Sequence, residues 1–143
     1  MILLDTNVVS ELMRVPRSTR VDQWFSIQER TELAVCSISV AEIERGINRL
    51  PSGRRRDGLR TRFDTLVSLG FSTPILPFDN TSAREFGVLA ARREKAGFNT
   101  SPLDLMIAAI ALTHNAKLAT RNTRDFEGCG VELINPWQET GPS

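Results

Sequence analysis

Four acidic residues occupy positions from which their carboxylates could act together. They are Asp5, Glu42, Asp104 and Asp125, each in a different segment of the chain. A hard divalent cation requires several carboxylate oxygens that converge from separate segments. If the fold gathers these segments, the chemistry they support is metal-assisted hydrolysis without a side chain as covalent nucleophile. The single histidine, His114, lies at the far end of the helix that Asp104 opens, which argues against an imidazole base.

The position of Asp5 follows from the residues that precede it. Residues 1–4 are apolar throughout, which predicts a strand buried on both faces of a parallel sheet, with Asp5 as its last residue. The carboxyl edge of such a sheet is where open α/β folds bind ligands. Thr6 is predicted to cap a helix that begins at Asn7. A buried carboxylate at this edge needs a partner or a cation.

Glu42 and Asp104 have a purely structural alternative. Each follows a serine, Ser39 and Ser101 respectively, at the spacing of a capping box, and acids are favoured in the first turn of a helix. However, Asp104 opens a segment at 105–112 that is too apolar to lie on the surface, so its amino end should point inward. Capping remains open for each acid alone, whereas the acids taken together favour a metal site.

The fourth contribution is expected from residues 120–126. Asp125 is the best acid there, as a metal ligand or as the residue that orients the attacking water, although it could instead cap a turn. Asn122 could reach an ion through its side-chain carbonyl or through a water. Arg121 and Arg124 flank these two residues and are candidates for binding substrate phosphates. Thr6, beside the first acid, could hold a metal-bound water or a phosphate.

The composition indicates one globular domain. The chain has 143 residues, of which 41% are apolar and 24% charged, with a net charge of +1. We expect the domain to span residues 1–137, followed by a C-terminal tail at 138–143. No stretch is long enough to cross a membrane and no signal peptide is apparent, so the expected location is the cytoplasm. Neither of the two cysteines has metal-ligand spacing.

Strand and helix patterns alternate along the chain. Strands are predicted at 1–5, 33–38, 117–120 and 131–134, with an edge strand at most at the proline-flanked 74–78. Helices are predicted from Asn7, at 21–28, 39–50, 54–69 and 80–96, and from Ser101. This order predicts an α/β fold, a three-layer α/β/α sandwich around a central parallel sheet.

The acidic segments, taken in order, resemble the four signature blocks of the PIN-domain family, and within it the VapC and FitB-type toxins of bacterial toxin–antitoxin pairs. The blocks are residues 1–7, 39–42, 101–109 and 120–126. The resemblance extends to about Trp137. It implies a Rossmann-like PIN fold and a Mg²⁺-dependent endoribonuclease, with Mn²⁺ as an alternative ion. It also implies RNA products with a 5′-phosphate and a 3′-hydroxyl.

The resemblance assigns Asp5, Glu42 and Asp104 to the metal and to catalysis. The departure is at the fourth acid, which relatives often carry where this chain has Asn122, while others use an acid nearer Asp125. A catalytically impaired PIN-like domain that only binds a regulator is therefore the alternative.

The expected protein partners are a second copy of the chain, in a homodimer or a larger toxin–antitoxin assembly, and a cognate antitoxin. The antitoxin should insert a basic side chain among the carboxylates. The apolar segments 8–13 and 24–27 of this chain could form the rest of the groove that the antitoxin occupies, and they could equally be core.

Overall fold

The computed structural model describes residues 1–71 and 74–138. Its strands are β1 (Ile2–Leu4), β2 (Leu33–Ala34), β3 (Lys117–Ala119) and β4 (Leu133–Ile134). Its α-helices are α1 (Thr6–Leu12), α2 (Thr19–Ile27), α3 (Ser37–Asn48), α4 (Arg54–Leu69), α5 (Asn80–Lys95) and α6 (Pro102–Thr113), with 3₁₀ turns at Arg30–Glu32 and Thr123–Phe126. None of the helices in this part of the chain is long and apolar enough to cross a membrane. Of the predicted tail, residues 139–143 lie outside the described residues.

The four strands form one parallel sheet in the order β2-β1-β3-β4. In the centre, Leu3 lies opposite Ala34 on one side and Leu118 on the other. The proline-flanked segment contributes a single parallel bridge, Leu76 to Cys36, at the β2 edge. All strands therefore end at one edge of the sheet, because parallel strands joined by helical crossovers run in the same direction.

The core lies on both faces of the sheet. Successive strand residues point to opposite faces, so Leu3 and Leu4, both fully buried, belong to different clusters. Leu3 shares its cluster with Ile107 of α6 and with residues of α5. Leu4 shares the other with Val8 of α1, Ile43 of α3 and residues of α2 and α4. The predicted three-layer α/β/α architecture is confirmed.

The start of α1 differs from the prediction. Asp5, and not Thr6, is the N-cap, because an Asp5 side-chain oxygen accepts a hydrogen bond from the Thr6 backbone nitrogen at 2.8 Å. Thr6 is the first helical residue. The backbone nitrogen of Asp5 also donates to Ala119 at 2.9 Å, so one residue both continues the sheet ladder and begins the helix.

Neither predicted capping box has its side-chain bond. α3 begins at Ser37, two residues earlier than predicted, and Cys36 occupies the N-cap without a side-chain hydrogen bond. Ser39 lies inside the helix and is fully buried, so it is unavailable as a cap. Ser101 occupies the N-cap of α6, but its side chain makes no capping hydrogen bond in the described structure. The acids that follow these serines are therefore not members of a formed capping box.

We expect α6 to carry much of the stability of the fold. Ile107 is fully buried in that helix, so Ile107→Ala should lower the free energy of unfolding by about 2–5 kcal/mol through lost burial and a cavity. Leu103, 37% exposed in the same helix, is the control, and Leu103→Ala should lower it by less than about 1 kcal/mol. Urea titrations of both variants measure the difference. Equal losses would mean that the side of α6 that carries Ile107 is not more deeply buried than the side that carries Leu103.

Candidate active site

A cavity of about 450 Å³ opens at the carboxyl edge of the sheet. Three of the predicted acids line it: Asp5 at the end of β1, Glu42 in α3 and Asp104 in the first turn of α6. The other lining residues are Thr6, Asn7, Ser10, Glu11, Arg14, Arg121, Asn122 and Trp137. The fold thus gathers acidic side chains from three separate elements in one place.

The Asp5 carboxylate is held by neutral donors. Oδ1 accepts the backbone nitrogen of Thr6, and Oδ2 accepts Thr120 Oγ1 at 2.7 Å and Asn7 Nδ2 at 3.2 Å. Asp5 is only 3% exposed, and burial raises its pKa even though these hydrogen bonds act in the opposite direction. The negative charge of Glu42 adds to the increase. The carboxylate therefore has a fixed orientation but an uncompensated charge.

Glu42 is oriented by a chain of hydroxyl groups. Thr6 Oγ1 donates to Glu42 Oε1 at 2.7 Å and lies 3.0 Å from Ser39 Oγ. A hydroxyl has one hydrogen, so when Glu42 accepts it, Ser39 must donate to Thr6. The Thr6 hydroxyl hydrogen is directed to Glu42 in this structure, and the predicted role of Thr6 in holding a metal-bound water or a phosphate stays a prediction.

Asp104 experiences the charges of the other acids. Burial, followed by the negative charges of Asp5, Glu42 and Asp125, raises the pKa of Asp104 to about 6. Part of this increase is mutual repulsion among carboxylates, which a bound cation would relieve. The electrostatics of the cavity therefore favour a cationic occupant.

The donor set matches a hard divalent ion in chemistry and location. Such ions prefer carboxylate oxygens from several segments. Among the described residues, no group of three histidine, cysteine, aspartate or glutamate side chains is already arranged to hold an ion. An Asp5 oxygen and a Glu42 oxygen are engaged by Thr120 and Thr6 in this conformation. These residues fit a Mg²⁺-type ion provided that their side chains turn toward it.

The fourth segment presents its two candidates differently. Asn122 lines the cavity, and its backbone nitrogen donates to Thr120 Oγ1 at 3.0 Å. Asp125, a described residue of the 3₁₀ turn, is exposed and lies outside the cavity lining, but its charge contributes to the raised pKa of Asp104. The amide thus lines the cavity and the acid does not, and the role of each stays a prediction.

Positively charged side chains lie at the rim of the cavity. The Arg121 guanidinium carbon is 5.0 Å from the centre of the Trp137 ring, and both residues line the cavity. Arg14 also lines it and pairs with the buried Glu11 at 3.4 Å. Arg124 is exposed and is outside the lining, so of the two predicted phosphate-binding arginines only Arg121 faces the cavity.

Three residues of the site had no predicted role there. Thr120 is a hydroxyl residue at the carboxyl end of a predicted strand, which was a usable signal. Ser39 was interpreted as a cap, and its contact with Thr6 could not be predicted without the fold. Glu11 is 6% exposed, and among the described residues its Oε2 has no hydrogen-bond partner. The sequence feature that could have identified Glu11 was an acidic residue on the buried face of α1.

The chain belongs to the PIN domain family, whose sequence model matches residues 2–129. It is 39% identical over 138 residues to the plasmid stability protein StbB of Pseudomonas syringae pv. tomato and 36% identical to the VapC ribonuclease Y4jK of Sinorhizobium fredii; each alignment covers 96% of this chain and 99% of the relative. It is 33% identical to the toxin FitB of Neisseria gonorrhoeae, covering 97% of this chain and 100% of the toxin. A chain of the crystal structure of FitAcB from that organism superposes with a TM-score of 0.88, at 33% identity over 97% of this chain and 100% of that one.

The raised pKa of Asp104 predicts a pH-dependent stability. An acid whose pKa is higher in the folded state stabilises the fold at low pH, and that contribution is lost as pH rises toward about 6. In metal-free protein, Asp104→Asn should therefore raise the melting temperature at pH 8, and the gain should shrink toward pH 4.5. Thermal denaturation with a chelator at both pH values measures this. Glu85→Gln, an exposed acid on α5, is the control; a gain that is the same at both pH values would contradict the raised pKa.

Proposed function

We propose that this protein is a metal-dependent endoribonuclease toxin that an antitoxin inhibits. The observation that carries the proposal is the convergence of Asp5, Glu42 and Asp104 on one cavity, where their charges raise the pKa of Asp104. The names of two relatives, a ribonuclease from S. fredii and the toxin FitB, support the same proposal. A homodimer or a larger toxin–antitoxin assembly is the expected working form.

In this proposal Asp5, Glu42 and Asp104 hold Mg²⁺, with Mn²⁺ as an alternative. A bound ion would lower the pKa of water and offset the charge that develops on the phosphate oxygens. The chain supplies the positioning: Thr120 and Asn7 orient Asp5, and Thr6 orients Glu42.

Residues of the fourth segment and of the rim complete the proposed site. Asn122 or Asp125 orients the attacking water. Arg121 and Arg14 bind phosphates that flank the scissile bond, because both lie at the rim of the same cavity. The choice of RNA depends on such rim residues, whereas the carboxylates act on any phosphodiester.

One observation favours a second candidate, a PIN domain that binds a regulator without cleaving RNA. Asn122, at one of the two positions where the family resemblance implies an acid, is an amide and lines the cavity. Against this candidate, three carboxylates share the cavity, and hydroxyl donors orient two of them, Asp5 and Glu42. Cleavage that requires Mg²⁺ and stops with a chelator distinguishes the two.

A second cavity supports the antitoxin as partner. It measures about 530 Å³ and lies between α1, α2 and α4. Its apolar lining includes Leu12, Phe25 and Leu66, and its arginines are Arg14, Arg17, Arg30 and Arg62. From the predicted groove segments, Val8, Val9, Met13 and Trp24 belong to the core. Leu12 is also in the core and Phe25 packs against it, and both of these line the second cavity. An acidic, amphipathic antitoxin segment fits such a surface.

Replacing a proposed metal ligand should abolish RNA cleavage. Asp5→Asn and Asp104→Asn should each lower the rate by about a hundredfold or more, since a Lewis-acid contribution of several kcal/mol is lost. Incubation of cellular RNA with Mg²⁺ or with a chelator, followed by mapping of new 5′-phosphate ends, measures the effect. Glu85→Gln should cleave like the wild type. An asparagine variant with wild-type activity would remove that residue from the mechanism.

Mg²⁺ and the antitoxin should compete for the acidic cavity. A guanidinium inserted by the antitoxin could form bidentate hydrogen bonds where the ion otherwise binds. Calorimetric titration of the toxin with antitoxin should therefore give a weaker affinity as Mg²⁺ increases. Asp104→Asn should also weaken binding, whereas Glu85→Gln should not. Affinity that is indifferent to both metal and mutation would show that inhibition occurs elsewhere on the surface.

A further inference from the structure

Arg93 of α5 is a buried cationic side chain outside the acidic cavity, with 4% of its surface exposed. Its guanidinium donates to the backbone oxygen of Glu127 at 2.7 Å and to that of Asp125 at 3.2 Å. Nε and Nη2 donate to Thr100 Oγ1 at 3.3 and 2.9 Å. One planar group therefore connects α5, the loop before α6 and the 3₁₀ turn Thr123–Phe126.

Burial of this cation is tolerated because its donors are used. A buried guanidinium is unfavourable unless hydrogen bonds replace its hydration. The Phe98 ring covers it, with the guanidinium carbon 4.3 Å from the ring centre. An apolar side chain could fill the same space but could not bind the carbonyl groups of the turn. What Arg93 adds beyond packing is therefore the placement of those carbonyl groups.

Both segments that Arg93 holds carry acids of the proposed mechanism. Thr100 directly precedes Ser101, the N-cap of α6, whose first turn carries Asp104. Asp125 belongs to the turn whose carbonyl oxygens accept from Arg93. The two acid-bearing segments are thus anchored to the same guanidinium, although neither is adjacent to Arg93 in sequence.

We propose that Arg93 is a positioning residue that sets the placement of Asp125 relative to Asp104. The inference rests on the proposed hydrolytic function, with Asp125 rather than Asn122 orienting the attacking water. Arg93 acts through backbone carbonyl groups and has no contact with the substrate. A displacement of the turn by about 1 Å would be sufficient to impair the reaction, since misplacement of that size costs up to about a hundredfold in rate.

Arg93→Lys separates geometry from charge, because lysine keeps the positive charge but lacks the planar fork. It should lower kcat for RNA cleavage by about ten- to a hundredfold and leave KM for RNA nearly unchanged. Calorimetry should show a severalfold weaker affinity for Mn²⁺. Arg92→Lys is the matched control, because Arg92 is the exposed neighbour whose Nη2 donates to the Gly128 oxygen at 3.3 Å. It should resemble the wild type.

A double-mutant cycle with Asp125→Asn tests whether Arg93 acts through that acid. In the Asp125→Asn background, Arg93→Lys should produce little further loss, whereas a general structural effect would lower kcat equally in both backgrounds. Thr100→Val removes one anchor of the fork and should give a smaller loss with the same coupling to Asp125. This second variant keeps the test decisive if Arg93→Lys does not fold.

The outcomes separate this inference from the proposed function. Three outcomes would each overturn the positioning role without affecting the proposed ribonuclease function. They are a wild-type kcat in Arg93→Lys, additive losses in the double-mutant cycle, and a wild-type kcat in Asp125→Asn. If the wild type cleaves no RNA, the proposed function fails, and the affinity for Mn²⁺ is measured instead of kcat in the same double-mutant cycle. Coupled changes would then support the positioning role, and additive changes would overturn it.

Discussion

The buried carboxylate of Asp5 is the constraint on which the site depends. Asp5 extends the ladder between β1 and β3 through its backbone and caps α1 through its side chain. Thr6, Asn7 and Thr120 donate to it, and all three donors are neutral. Neutral donors fix the orientation of a carboxylate while leaving its net charge in place. The junction between β1 and α1 therefore also leaves a negative charge at the edge of the sheet.

Much of the fold could be predicted because its signals are local. The apolar run before Asp5, the helical pattern at 54–69 and the proline-flanked segment around Leu76 each indicated the element, or the edge position, that the structure contains. The end of the second strand could not be predicted. The backbone nitrogen of Ser37 donates to the Leu76 oxygen at 2.8 Å, and the burial of Ser39 depends on packing from elements distant in the chain.

The acidic half of the site was predictable, and the groups that orient it were not. Strand ends and helix starts meet at one edge of any parallel sheet, so the positions of the acids could be inferred from element order alone. Thr120 and Asp5 are 115 residues apart, and Arg93 and Glu127 are 34 apart. No periodicity or spacing links such pairs. The turn geometry that presents Asn122 to the cavity, with Asp125 outside its lining, is likewise a tertiary result.

The hydrogen-bond donors around the acidic cavity leave its negative charge uncompensated. Among the described residues, the salt bridges do not involve Asp5, Glu42 or Asp104. A direct cationic partner would stabilise these carboxylates and remove their attraction for an ion. Hydroxyl and amide donors avoid that neutralisation, and the remaining repulsion is visible in the raised pKa of Asp104. Any cation that enters would relieve the same repulsion, so a metal ion and a basic side chain of a protein partner would compete for this cavity.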